Sequence, residues 1–107
     1  MNVRTNHTMN CTIALAGLYD VYDPEVGLNV VDMGLIYQIN FDEEAKQIDV
    51  LMTLSTQFCP MGESIVDSVT NNLKNNFLGY TVQVNLTFDP PWNYTMISEE
   101  GRKFLNR

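Results

Sequence analysis

The sequence is poor in the residues from which metal centres and catalytic sites are most often built. It has one histidine, His7, and two cysteines, Cys11 and Cys59, and it lacks both C-x-x-C and H-E-x-x-H motifs. A lone thiolate cannot enclose a zinc ion or an iron–sulfur cluster, since a cluster usually needs about four ligands. The sequence also lacks a phosphate-binding glycine loop, a G-x-S-x-G elbow and a histidine beyond the start of the chain. These absences argue against a self-contained metal centre and against the common nucleophilic enzymes.

Positive charge and long apolar runs are also scarce. Six lysines and arginines face 13 aspartates and glutamates, which gives a net charge of −7. A phosphate backbone would repel such a chain, so we expect no nucleic-acid partner. No apolar run approaches the ~20 residues of a membrane span, and the first ten residues lack the apolar stretch of a signal peptide. We therefore expect a cytoplasmic protein with no membrane contact, in which the cysteines are thiols.

The length of 107 residues and the 45% apolar content are typical of one globular domain. Residues 1–9 show no periodicity and are predicted to be a flexible lead-in, with the domain spanning residues 10–107. His7 lies in that lead-in and is a poor candidate for catalysis.

The first regular pattern is an apolar stripe at helical spacing, which indicates a helix. Asn10 or Thr12 is a candidate cap, and Asp23-Pro24 should end the helix because the residue before proline avoids helical geometry. Cys11 belongs to the stripe and is predicted to be buried and structural. The stripe consists of Cys11, Ala14, Leu15, Leu18, Val21 and Tyr22.

The rest of the chain alternates between strand and helix patterns. Residues 35–41 and 48–54 each alternate apolar and polar side chains and predict an antiparallel hairpin. Residues 65–77 predict a second amphipathic helix, residues 80–88 a third strand, and Ser98 the cap of a short closing helix. These elements predict an α+β two-layer sandwich, with a small, mostly antiparallel sheet, two helices on one face and a short C-terminal helix.

Cys59 stands where the second strand pattern stops and the second helix pattern starts. Pro60 suits the first helical position, which places Cys59 at or beside the N-cap. The helix dipole and free N–H groups there would lower the thiol pKa below its usual ~8.5. The alternative is that Cys59 is a small buried apolar residue.

Several polar residues are candidates to assist Cys59. Asp32 precedes the first strand of the hairpin; it is either a turn residue or a carboxylate near the thiol. Asp23 and Glu25 could add carboxylate ligands for a metal. Thr56 could donate a hydrogen bond to a thiolate or a bound sulfide.

A second candidate region is Asp89-Pro90-Pro91-Trp92, where two prolines stiffen the chain ahead of the only tryptophan. Trp92 is either a core side chain or a rigid anchor for a protein partner.

The sequence resembles one family through motifs that occur in a fixed order. They are Asp23-Pro24-Glu25-Val26-Gly27, residues 29–37 (NVVDMGLIY), residues 52–56 (MTLST), Cys59-Pro60-Met61-Gly62 and Asp89-Pro90-Pro91-Trp92. The family includes SufT, PaaD and the eukaryotic cytosolic iron–sulfur assembly factors. The likeness extends from about Thr12 to Leu105.

The resemblance implies a non-catalytic factor that assembles iron–sulfur clusters or delivers them to apoproteins. It maps the motif cysteine to Cys59, the acidic motif positions to Asp23, Glu25 and Asp32, and a second motif to residues 89–92. Cys59 would hold iron, sulfide or a cluster transiently, with no cofactor bound tightly. Expected partners are iron–sulfur assembly proteins or client apoproteins. We also predict a homodimer, because two copies that meet near Cys59 could supply two thiolates.

Two alternatives stay open at this stage. The protein could be an adaptor that docks partners through its polar sheet face or Trp92, with a structural Cys59. It could instead be an accessory subunit of an aromatic-degradation oxygenase system, or an enzyme that uses Cys59 as a nucleophile, although no base is evident.

Overall fold

The fold is organised around a hairpin of two strands, flanked on each side by one further strand. A computed structural model describes residues 3–55 and 62–106. The strands are β1 (Arg4–Thr5), β2 (Tyr22–Asp23), β3 (Leu28–Asn29), β4 (Ile36–Asp42), β5 (Gln47–Met52) and β6 (Thr81–Leu86). The helices are α1 (Thr8–Leu18), α2 (Gly62–Asn76) and α3 (Glu99–Leu105), with a 3-10 turn at Tyr94–Met96.

The main sheet has the strand order β1-β4-β5-β6, and β2 pairs with β3 in a separate ribbon. The predicted antiparallel hairpin is confirmed as β4 and β5. The outer strands β1 and β6 pair in parallel with their neighbours, so the sheet is mixed rather than mostly antiparallel. The reason is connectivity: α1 follows β1 and α2 follows β5, and such helical crossovers return the chain in the same direction.

The α+β architecture is confirmed, with the core between the sheet and its two long helices. The buried side of α1 (Cys11, Ala14, Leu18) and that of α2 (Ile65, Val69, Leu73) join one cluster with Ile39, Ile48, Val50 and Met52 of the hairpin. The alternation of β5 therefore predicted its buried face, since successive strand residues point to opposite faces.

The N-terminal segment differs from the prediction of a flexible lead-in over residues 1–9. Arg4 and Thr5 pair with Gln38 and Ile39. The Asn6 side chain then exchanges two hydrogen bonds with the Phe41 backbone, at 2.8 and 2.9 Å. This pairing uses backbone groups and the Asn6 amide, and a strand of two residues is too short to show an alternation of apolar side chains. The sequence therefore did not reveal it.

Helix α1 begins earlier and ends earlier than its stripe predicted. His7 is the N-cap, and its Nδ1 accepts a hydrogen bond from the Asn10 N–H at 3.1 Å, so the predicted caps Asn10 and Thr12 are wrong. Beyond Leu18 the chain turns, and Tyr22 is 57% exposed in the β2–β3 ribbon. The apolar stripe extends beyond the end of the helix because Val21, which follows the turn after α1, is also buried in the core.

Within the described ranges no helix combines the length and the apolar character needed to cross a bilayer. The predicted helix start at Cys59-Pro60 lies outside the described residues.

Candidate functional site

One end of the main sheet collects residues of the second, third and fifth motif segments. Strands β5 and β6 run in parallel and finish there, and the antiparallel strand β4 starts there. We call this region the motif end; it comprises residues 30–37, 53–55 and 87–98. Segment 56–61, which carries Cys59 and Thr56, joins residue 55 at this end to Gly62 at the start of α2.

Both flanks of that segment are held by packing. Thr53 and Leu54 are buried, and the Thr53 N–H donates to the Leu35 carbonyl at 2.8 Å. Gly62 is buried against Leu54, where a side chain on Gly62 would press on the Leu54 methyl group at 2.8 Å. The two ends of the cysteine segment are therefore fixed relative to the sheet.

The Pro-Pro-Trp segment is tied to the start of the β4 strand by two hydrogen bonds. The Trp92 indole N–H donates to the Met33 carbonyl at 2.6 Å. The Tyr37 hydroxyl donates to the Pro90 carbonyl at 2.8 Å. Trp92 is half-buried against the core, so its structure favours the core reading over that of a free partner anchor.

Asp32 links the same region to α3. Its Oδ1 accepts a hydrogen bond from the Ser98 hydroxyl and its Oδ2 one from the Asn29 amide, both at 2.7 Å. Ser98 also caps α3 by accepting from the Gly101 N–H at 3.0 Å, which confirms the predicted cap. Both carboxylate oxygens of Asp32 are thus engaged within the fold, which supports its reading as a structural turn residue.

Gly34 permits the close approach of these segments. Its φ of +77° lies in the left-handed region, and a Cβ there would overlap the carbonyl oxygen of Met96. Only glycine lets residues 33–35 lie directly against the 3-10 turn.

Tyr37 connects three parts of the motif end. Its hydroxyl lies near Pro90, the Met96 sulfur and Thr53. Burial raises the pKa of Tyr37, and a hydrogen bond with Thr53 offsets part of that rise. The hydroxyl therefore stays protonated at neutral pH and acts as a donor.

Of the two cysteines, Cys11 lies within the described residues. Cys11 is 4% exposed in the core, which confirms its predicted burial. Burial raises the pKa of the Cys11 thiol, and a hydrogen bond with Thr5 opposes this only in part. Cys59 and Thr56 lie outside the described residues, so their predicted roles stay predictions.

Asp23 and Glu25 do not form a metal site with other described residues. Asp23 is 1% exposed, and its Oδ1 accepts a hydrogen bond from the Glu25 N–H at 2.9 Å, as in a turn. The Glu25 side chain is exposed. Across residues 3–55 and 62–106, no group of three or more His, Cys, Asp or Glu side chains is placed to hold a metal ion. Cys59 itself lies outside the described residues.

An open cleft of about 730 Å³ lies beside the motif end, between residues 31–37 and residues 95–100. Asp32, Glu99 and Glu100 line it together with apolar and aromatic side chains. Asp89, Pro90 and Pro91 are exposed. The surface beside the motif end thus carries carboxylates and is accessible to another protein.

The long-range contacts of two residues in this region were not predicted. Tyr37 looked like an ordinary core-facing strand residue, and Ser98 looked like a helix cap alone. Their partners lie 53 and 66 residues away in the sequence, respectively, so local patterns carried no signal for these contacts.

Comparison with known proteins decides the family. Residues 14–87 match the family described as iron–sulfur cluster assembly protein. The chain belongs to this family. The family membership that the sequence motifs predicted is confirmed.

Individual relatives agree with this assignment. The chain is 40% identical over 82 residues to the Fe-S protein maturation auxiliary factor SufT of Staphylococcus aureus, covering 77% of this chain and 92% of the relative. It is 39% identical over 84 residues to an Fe-S protein maturation auxiliary factor of Porphyromonas gingivalis, covering 78% and 79%. The crystal structure of a domain of unknown function, DUF59, from Bacillus anthracis superposes with a TM-score of 0.83 at 30% identity, covering 92% of this chain and 97% of that one.

The match of residues 14–87 includes the first four motif segments and ends before the fifth, which starts at Asp89. The structure adds that the fifth, Asp89 to Trp92, is bonded to the second through Met33 and Tyr37.

Proposed function

We propose that the protein is an auxiliary factor in the maturation of iron–sulfur proteins, which presents iron or an iron–sulfur cluster, ligated by the Cys59 thiolate, for transfer to a client. The observation that carries this proposal is the meeting of separated family motifs at one end of the sheet. That meeting fixes both flanks of segment 56–61. The family membership and the names of the relatives support the same role.

The chemistry of a single thiolate fits transfer better than storage. A cluster usually has about four cysteine ligands, and one chain offers one candidate, Cys59. The other ligands then come from the donor or client protein. Ligand exchange between two proteins moves the cargo without oxidation or reduction of Cys59.

Other residues contribute to the proposed site in distinct ways. Thr56 would donate a hydrogen bond to the thiolate or sulfide, and hydrogen bonds to sulfur tune a cluster. The exposed carboxylate of Glu25 is free to add an oxygen ligand for iron, whereas the Asp23 carboxylate already bonds the backbone. Asp32 acts as a positioning residue, because both of its oxygens are occupied.

The proposed docking surface for assembly proteins or clients is the exposed tip Asp89-Pro90-Pro91 beside the acidic cleft. The hydrogen bond from the Trp92 indole N–H to the Met33 carbonyl anchors the chain directly after this tip. The carboxylates at the cleft favour a partner with lysine or arginine at the contact. We place the protein in the cytosol, where cysteines remain thiols.

Anaerobic reconstitution with iron and sulfide tests the ligand directly. The parent should gain charge-transfer absorbance, and Cys59→Ala should lose most of it. Cys11→Ala is the matched control, because Cys11 is buried and its thiol is protonated. Equal cluster uptake by Cys59→Ala and Cys11→Ala would overturn the assignment of Cys59.

A further inference from the structure

The sheet ends in an edge strand that lacks the usual protections. In the described part of the chain no strand lies beyond β6, and the opposite edge, β1, has only two residues. Edges are normally shielded by charge, proline or a bulge. Strand β6 has no charged residue and no proline, and its register with β5 is unbroken. The uncharged run extends from residue 75 to residue 88, in a chain with a net charge of −7.

The hydrogen-bonding direction of β6 shows which backbone groups are left over. The N–H groups of Thr81 and Thr87 donate to Lys46 and Met52, at 2.8 and 2.9 Å. Odd-numbered residues therefore turn their backbone toward β5. In a parallel ladder the even-numbered residues then turn N–H and C=O groups outward. These residues are Val82, Val84 and Leu86.

The sequence around β6 reads as a chemical palindrome centred on Val84. Residues 80–88 are Tyr-Thr-Val-Gln-Val-Asn-Leu-Thr-Phe. Residues at equal distance from Val84 match in kind: Gln83 with Asn85, Val82 with Leu86, Thr81 with Thr87, and Tyr80 with Phe88. A two-fold axis through an antiparallel strand pair places these matched positions opposite one another.

We infer that β6 pairs in antiparallel fashion with β6 of a second copy of this chain, with the two-fold axis at Val84. The outward residues form three hydrogen-bonded pairs across the contact: Val84 faces Val84 of the other copy, and each Val82 faces the Leu86 of the other copy. Each pair exchanges two backbone hydrogen bonds, which gives about six in all. On the polar face, Gln83 faces Asn85 and Thr81 faces Thr87 of the other copy, and threonine pairs stabilise adjacent strands.

The exposure of Leu86 and the net charge of the chain both support a second copy of this chain as the partner of β6. Leu86 is 44% exposed although it lies on the core side of the strand, and the pairing covers it with Val82 of the other copy. Two copies that each carry −7 repel one another, and an uncharged edge keeps carboxylates out of the contact.

This dimer differs from one bridged by two copies of Cys59. Antiparallel pairing of β6 places the two motif ends at opposite ends of one continuous sheet. Each copy then presents its own Cys59 segment to a client. Loss of Cys59 should therefore leave the dimer intact.

The first test is the mass in solution by light scattering and sedimentation from about 5 μM to about 1 mM. A short strand contact is at the small end of interfaces, so we expect a dimer of twice the 12.2 kDa chain mass that dissociates on dilution. Leu86→Lys should raise the dimer Kd about tenfold or more. Ile13→Lys, an equally exposed aliphatic residue on α1, is the matched control and should leave it unchanged. A parent that stays monomeric, or equal effects of the two variants, would overturn the inference.

A cross-linking test reads the register. In a Cys59→Ala background, chains with Gln83→Cys and chains with Asn85→Cys are mixed and oxidised. In the inferred pairing, residue 83 of one copy and residue 85 of the other form a non-hydrogen-bonded pair. The Cα atoms of such a pair lie about 4.5 Å apart, which is within the range of a disulfide. Diagonal positions lie about 7–8 Å apart, so each variant alone should cross-link poorly. Cross-linking that is as efficient in either variant alone contradicts the pairing, as does its absence in the mixture. Far-UV circular dichroism of each variant confirms that the monomer is folded.

Discussion

At the scale of single residues, the motif end depends on atoms that must come close together. Gly34 illustrates this, because its left-handed φ and its contact with Met96 both exclude a side chain. Gly27 has a similar φ of +81° but open space around it. Substitutions at these two glycines therefore distinguish the cost of left-handed backbone geometry from the cost of a steric overlap.

We expect Gly34→Ala to destabilise the protein far more than Gly27→Ala. Left-handed geometry alone costs about 1–2 kcal/mol for alanine, which is the expected loss at Gly27. At Gly34 the Met96 segment must also move, so the loss should reach about 3 kcal/mol or more. Urea unfolding of both variants gives the comparison. Equal losses would show that the Met96 contact is unimportant.

The sequence revealed residue roles where they depend on neighbours in the chain. The cap at Ser98 and the buried position of Cys11 followed from local patterns. The bonds from Tyr37 to Pro90 and from Trp92 to Met33 did not, because they join residues far apart in sequence. The role of Asp32 was ambiguous for the same reason, since its partner Ser98 is 66 residues away.

At the scale of elements, the Asp32–Ser98 bond fastens α3 to the loop before β4. The Asp32 carbonyl also accepts the Ser98 N–H at 2.8 Å, so side chain and backbone hold the same junction. Helix α3 has only seven residues and one buried residue, Gly101. Such a short helix depends on its cap and its contacts more than on its own propensity.

A double-mutant cycle measures this junction. Asp32→Ala and Ser98→Ala should each reduce the free energy of unfolding by about 1–3 kcal/mol. Their combined effect should be smaller than the sum by about 0.5–3 kcal/mol, because both remove the same bond. Asp67→Ala, an exposed acid on α2, is the control and should add to Ser98→Ala without coupling. Strict additivity of Asp32→Ala with Ser98→Ala would mean that the bond contributes nothing in solution.

The elements themselves and the antiparallel hairpin were largely predictable, whereas the directions of the outer strands were not. Alternation found β4, β5 and β6, and the apolar stripes found α1 and α2. Strand direction depends on whether a helix intervenes between paired strands, and the pairing of β1 with β4 spans 34 residues, from Arg4 to Gln38. The sequence gives no local signal for such a pairing when the strand has two residues.

At the scale of the whole molecule, charge and symmetry separate two kinds of surface. The acidic cleft and the Asp89-Pro90-Pro91 tip surround the motif end, whereas the uncharged edge of β6 extends away from it. The sequence predicted a homodimer from the need for two thiolates, and that prediction stays untested. The inferred contact is a different one, in which the copies associate through β6 and each motif end remains available to a client.

The central claim is that Cys59 carries the cargo during iron–sulfur protein maturation, and complementation in cells tests it most directly. Cells that lack this gene receive the parent, Cys59→Ala or Cys11→Ala at matched protein levels. The activity of an endogenous iron–sulfur dehydratase is then measured per amount of that enzyme. The account predicts that the parent and Cys11→Ala restore activity and that Cys59→Ala leaves it near the level of the empty vector. Full restoration by Cys59→Ala would contradict the account.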